Sequence, residues 1–247
     1  MNRLIIFGDS FVTLERRKDF SFPFWTEQLA EKLGLSLVVH GKGGTNLNWS
    51  LINYYNYIKN DYNKEDIIIF VVTSGSRLPY VHQDFDAADG VSSQFLKLGS
   101  PWKWNTKNFE NELDAAKQVW VKFYNEEIHH AQVTILRQAL ESLPNKKLIL
   151  SAFPDSQEHK LAGYCDFHVT GSALMGISLH EMGISFGENF KPPRQSTPSI
   201  GPDPRPNHLS EQNHKILAED LYDMLMGKKS LDINNNDYKK LEKIQNA

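Results

Sequence analysis

Three short segments of this chain carry residue types that can do chemistry together. Gly8-Asp9-Ser10 follows directly on the apolar run Leu4–Phe7, and Pro206-Asn207-His208-Leu209-Ser210 opens the last helical stretch. A serine hydroxyl becomes a competent nucleophile when a neighbouring base takes its proton, and histidine is the usual base near neutral pH. Ser10 and His208 would supply that pair. The Ser10 backbone N–H, at the same place, is a candidate donor to an oxyanion. The third segment is Gly41-Lys42-Gly43-Gly44-Thr45-Asn46. Its glycines would let a backbone N–H approach a bound group closely. Each segment also has a purely local reading: Gly-Asp-Ser are turn formers, and Thr45 or Asn46 can cap a following helix. The glycine run lacks the closing Lys-Ser/Thr of a phosphate-binding loop.

The elements that would position these residues can be read from hydrophobic period. Leu4–Phe7 reads as a buried strand and Phe24 to Leu33 as a helix closed by Gly34. Leu35–Val39 reads as a second strand, Asn46 to Ile58 as a helix and Ile67–Val72 as an uninterrupted central strand. This alternation predicts a doubly wound, mostly parallel sheet of about five strands, with right-handed crossovers. In such sheets ligands bind at the carboxyl ends of the strands, where Ser10 and the glycine run would stand. Arg77 to about Asn108 is irregular and rich in Trp and Phe, and reads as an inserted loop. Phe109 to about Leu143 reads as a long helix, Leu148–Ala152 as a fourth strand and Tyr164–Val169 as a weaker fifth. Gly187 to Pro206 is a proline-rich loop, and Leu209 to Met226 a final helix. From Ser230 the chain is polar, read as a tail or peripheral helix. The expected organisation is one domain over 1–229, with an insertion at about 77–108, and a polar tail over 230–247.

Bulk properties narrow the function classes. The 247 residues suit one large α/β domain. A formal net charge of −3 gives no basic surplus for nucleic acid. The one cysteine, Cys165, excludes an internal disulfide framework and a cysteine-based zinc cluster, and fits a reducing compartment. No run approaches the ~18 apolar residues of a membrane span, and Leu4–Phe7 is too short for the core of a signal peptide. No membrane partner is expected, and the expected location is the cytoplasm. His129-His130 beside Glu126-Glu127 do not face one site on a helix and read as a solvated face. His159, His168 and His180 lack ligand-like spacing, so neither metal nor organic cofactor is expected.

The order of the three segments along the chain resembles the SGNH (GDSL-like) serine hydrolase family. Its blocks are Gly-Asp-Ser near the N-terminus, a glycine after strand two, Gly-x-Asn-Asp after strand three and Asp-x-x-His near the C-terminus. The resemblance spans Leu4 to about Leu225. It implies a flavodoxin-like three-layer α/β/α sandwich and metal-free ester hydrolysis. Ser10 would be the nucleophile, His208 the base, and the N–H groups of Ser10 and Gly44 the oxyanion donors. Two blocks depart from the pattern. Thr73-Ser74-Gly75-Ser76 stands where Gly-x-Asn-Asp would, so Gly75 replaces the asparagine donor; Ser74, Ser76 and Arg77 are substitutes, with Ser74 carried forward. Losing one such donor costs ~10²–10³ in rate. Three residues before His208 stands Arg205, leaving Asp203 as the carboxylate candidate; a Ser–His dyad, or a dyad braced by a backbone carbonyl, is the other arrangement. The expected substrate is a small-molecule or glycan ester, O-acetyl groups included. The alternative is a non-catalytic binding or structural protein on the same fold, using Arg77–Asn108 as its contact surface.

Overall fold

The structure is a computed structural model that describes residues 2–14, 22–43, 45–73, 126–152, 167–168, 170–171, 174–181, 208–228, 232–233 and 237–239. In β1 (Arg3–Gly8), Leu4 to Phe7 are all fully buried. Successive side chains of a strand point to opposite faces, and here they feed two separate cores. Leu4 and Ile6 join one cluster with Ile69, Val71, Leu148 and Leu150. Ile5 and Phe7 join the other with Ile68, Phe70, Val72 and Ile149. The unbroken apolar runs of β1, β3 (Ile67–Val72) and β4 (Lys146–Ser151) follow from this double coverage.

Helices supply both covers. On the first face lie α1 (Trp25–Leu33), α4 (Leu174–Glu181) and α5 (Glu211–Leu225), through Trp25, Leu29, Leu174, Ile177, Leu217 and Leu221. On the second lie α2 (Leu47–Asn60) and α3 (Glu126–Glu141), through Leu47, Leu51, Tyr54, Val133, Leu136 and Leu140. The Tyr54 hydroxyl donates to the Ala139 carbonyl at 3.0 Å and ties these two helices together. With β2 (Ser36–Gly41) and β5 (Phe167–His168), the sheet has five strands in the order β2-β1-β3-β4-β5, every pair parallel. The protein is thus a three-layer α/β/α sandwich of flavodoxin-like strand order. That order reverses between β1 and β3, and in sheets of this kind ligands bind beyond the carboxyl ends of the strands at such a switch point.

Several boundaries differ from the sequence expectation. β2 continues through His40 and Gly41, because its pairing with β1 runs on to Gly8 opposite Gly41. Asn46 does not enter α2; its side chain caps the helix by accepting from Trp49 N at 3.0 Å. Of the fifth strand, Phe167 and His168 are described, paired with Leu148 and Ile149; the rest of Tyr164–Val169 lies outside the described residues. Of the long helix expected from Phe109, the described part is α3; the rest, and the insertion at about 77–108, lie outside the described residues. Helix α4 had no counterpart in the sequence reading, since its residues are apolar nearly all round and give no stripe. The chain beyond Ser230, read as a polar tail, is tied down where it is described. β7 (Asp232–Ile233) pairs with β6 (Thr170–Gly171). Tyr238 is 2% exposed and its hydroxyl donates to Asp220, while Asn213 exchanges two hydrogen bonds with the Lys239 backbone. Among the described residues no helix is long and apolar enough to cross a membrane.

The edge strand β2 gives the fold a testable pH dependence. The His40 ring stacks on Phe7, centroids 4.9 Å apart and planes 7° apart. Burial lowers its pKa, partly opposed by the charge of Asp61. The folded state therefore favours the neutral ring, and the unfolded chain binds more protons as pH falls through about 6.5. The contribution of His40 is complete above that value and is lost towards acid. Urea unfolding midpoints measured from pH 8 to pH 5 should fall, and His40→Phe should fall less steeply. An identical slope in the variant would remove His40 as a source.

Candidate active site

Asp9 organises the turn that carries Ser10. It is fully buried, and a carboxylate so placed requires partners. Its Oδ1 accepts from Phe11 N at 3.1 Å, its carbonyl from Val12 N at 3.1 Å, and its Oδ2 from the Thr73 hydroxyl at 2.7 Å. The first two bonds close the turn beyond β1, and the third fastens it to the end of β3 across the switch point. Phe11 and Val12 are consumed as backbone donors in this way. The Ser10 N–H, by contrast, finds no acceptor among the described residues. Ser10 itself is half-buried.

Two glycines let the turn lie against the sheet. A Cβ on Gly8 would stand 2.9 Å from Val71 Cβ and 3.0 Å from Val12 Cγ2. One on Gly41 would stand 2.6 Å from Val12 Cγ2 and 2.9 Å from the Thr13 backbone nitrogen. The strand ends therefore form the seat of the turn that carries Ser10.

His208 reaches the same place from the other end of the chain. It enters α5 with φ at +63°, the left-handed region that non-glycine residues seldom occupy. The next residue, Leu209, is fully buried, and Ser210 caps α5 by accepting from Asn213 N. His208 Nε2 lies 2.9 Å from Ser10 Oγ. With the ring proton on Nδ1, Nε2 accepts from the serine hydroxyl, the arrangement a general base needs. The imidazole also rests against Phe11, ring centroids 4.8 Å apart.

A second route links α5 to the turn that carries Ser10. Buried His214 accepts from Trp25 N through Nδ1 at 3.1 Å and stacks on Phe24, while Trp25 Nε1 donates to the Phe11 carbonyl at 2.8 Å. His214 is thus engaged in joining α1 to α5. Both ends of the Ser10–His208 contact are carried by one bonded framework.

Of the candidate residues, Ser10 and His208 stand within hydrogen-bond distance of each other. Gly44, Ser74 and Asp203 lie outside the described residues, as do Gly75 and Arg205. Thr73, the last described residue of the third block, is buried and bonded to Asp9. Sequence reasoning gives Asp9 no role beyond the Gly-Asp-Ser segment and Gly41 none beyond the glycine run. It has no place for Glu181, whose carboxylate meets the start of α5. Among the described residues no group of His, Cys, Asp and Glu side chains is arranged to hold a metal ion.

No protein-family model, curated protein or solved structure matches this chain. What fold and site define is a class: a doubly wound α/β protein with a serine–histidine pair at its topological switch point.

Proposed function

We propose that this chain is a serine esterase of the SGNH type, acting on a small-molecule or glycan ester, O-acetyl groups included. The observation that carries the reading is the 2.9 Å approach of His208 Nε2 to Ser10 Oγ, across 198 residues of sequence, at the carboxyl edge of the sheet. Side chains so distant in the chain meet because the turn after β1 and the turn before α5 come together.

In the proposed reaction Ser10 Oγ attacks the ester carbonyl while His208 Nε2 takes the hydroxyl proton. The carbonyl oxygen becomes an oxyanion, for which the unengaged Ser10 N–H is a donor, with Gly44 N–H and Ser74 proposed beside it. His208 then gives its proton to the departing alkoxide, leaving Ser10 acylated. Water, deprotonated by the same histidine, releases the acid and restores the serine. The Phe11 ring and the turn beyond His208 fix the imidazole, with Asp203 the proposed carboxylate on its far side. No metal or organic cofactor takes part in this scheme, and the cytoplasm is the proposed setting.

A fluorophosphonate probe tests the reading. Wild-type protein should be labelled once, at Ser10, as read by mass spectrometry of the digested adduct, and His208→Ala should label far more slowly. An unlabelled wild type would favour a binding protein on the same fold.

A further inference from the structure

The least explained group near the site is Glu181. It ends α4, a helix buried along nearly its whole length, and is itself 1% exposed. A carboxylate there faces two penalties: loss of water, and the negative end of a helix dipole. Such a conflict between local preference and observed residue is found where a site imposes it.

Both carboxylate oxygens are directed at one backbone group. Ser210 N donates to Oε1 at 2.9 Å and to Oε2 at 3.2 Å. Ser210 is the cap of α5, where the dipole favours a negative charge, and it lies two residues beyond His208. The Ser210 hydroxyl is already used on Asn213 N, so the side chain and the amide of this residue are held separately. His208, two residues before it, has a left-handed backbone that is costly for a non-glycine residue and persists only where the surroundings over-determine it. Its ring is held by Ser10 and Phe11. Its outgoing backbone is held by buried Leu209 and by the bond from Ser210 to Glu181.

We propose that Glu181 is a positioning residue for His208: by fixing the Ser210 amide it keeps the histidine turn in the left-handed conformation that aims Nε2 at Ser10. The proposal rests on the esterase reading for its catalytic consequence, though not for its geometric one. Glutamine keeps a carbonyl acceptor of the same reach, leucine keeps the volume without an acceptor, and aspartate keeps the charge one methylene short.

The experiment compares Glu181→Leu, Glu181→Asp and Glu181→Gln in the full chain, with folding checked by circular dichroism at the assay temperature. Hydrolysis of an activated acyl ester and the rate of phosphonate labelling are measured alongside the His208 imidazole NMR signals, assigned with His208→Gln. Leucine and aspartate should lower kcat and labelling by about tenfold to a hundredfold, the cost of a misplaced catalytic group, with KM within about twofold. Both should shift the His208 signals, and glutamine should restore rate and signals alike. If leucine prevents folding, the comparison of aspartate with glutamine decides. A folded leucine or aspartate variant with wild-type kcat and unmoved His208 signals overturns the proposal. An unlabelled, inactive wild type sinks the esterase reading, and the NMR comparison then decides the positional claim by itself.

Discussion

Ser10→Ala and His208→Ala should each slow turnover of an activated acyl ester by about 10⁴-fold or more, and the double variant should be no slower than either single. Hydroxyl and imidazole act as one unit in the proposed attack, so removing the second after the first removes nothing further. The 2.9 Å contact between them is the structural ground for that coupling. Stability separates the two sites. Ser10→Ala leaves the turn intact, because Asp9 organises it through the Phe11 and Val12 amides and not through the serine side chain. At position 208, φ of +63° penalises alanine as it does histidine, whereas glycine escapes that cost. His208→Gly should therefore be as inactive as His208→Ala but more stable by about 1 kcal/mol, read from urea unfolding. If Ser10→Ala keeps wild-type turnover, the hydrolase reading fails and a binding role takes its place.

The parts of this molecule legible in its sequence are those whose cause is local or periodic. Leu4–Phe7 and Ile67–Val72 are apolar throughout because helices cover both faces of the sheet. Ser10 is legible as a candidate because a strand end in a parallel sheet is where reacting groups collect. His208 could be named from its place at the head of the last helix, but its left-handed backbone could not. The groups around it, Phe11 beyond β1 and Glu181 at the end of α4 among them, come from distant parts of the chain. Helix α4 is hidden for a related reason: a helix apolar on every side has no stripe to detect. The role of Asp9 is equally non-local. Its decisive partner, the Thr73 hydroxyl, lies 64 residues away, at a strand end whose neighbours depart from the family pattern. Tyr238 is non-local too: one aromatic in a polar stretch, it is buried with its hydroxyl donating to Asp220 of α5.

Gly41→Ala should be the most damaging single-methyl change near the site. Gly41 ends β2 opposite Gly8, and the turn carrying Ser10 folds over it. A methyl there would stand 2.6 Å from Val12 Cγ2, 2.9 Å from the Thr13 nitrogen and 3.0 Å from the Val12 carbonyl carbon. The first contact is with a side chain that can turn away. The other two are with backbone, and relieving them means lifting residues 12 and 13 off the strand end. Overpacking of this kind costs about 1–3 kcal/mol, which should appear as a fall of several degrees in Tm. The displacement begins two residues from Ser10, so kcat should drop by about a hundredfold even where the protein remains folded, as for a catalytic group moved by about 1 Å. Adding Val12→Ala should recover part of the stability and little of the rate, because the backbone contacts remain. Gly43→Ala is the control for stability: among the described residues, chain neighbours apart, no atom lies within 4 Å of the added methyl, and its Tm should match the wild type. Wild-type stability and turnover in Gly41→Ala would mean that the Ser10 turn does not rest on the end of β2.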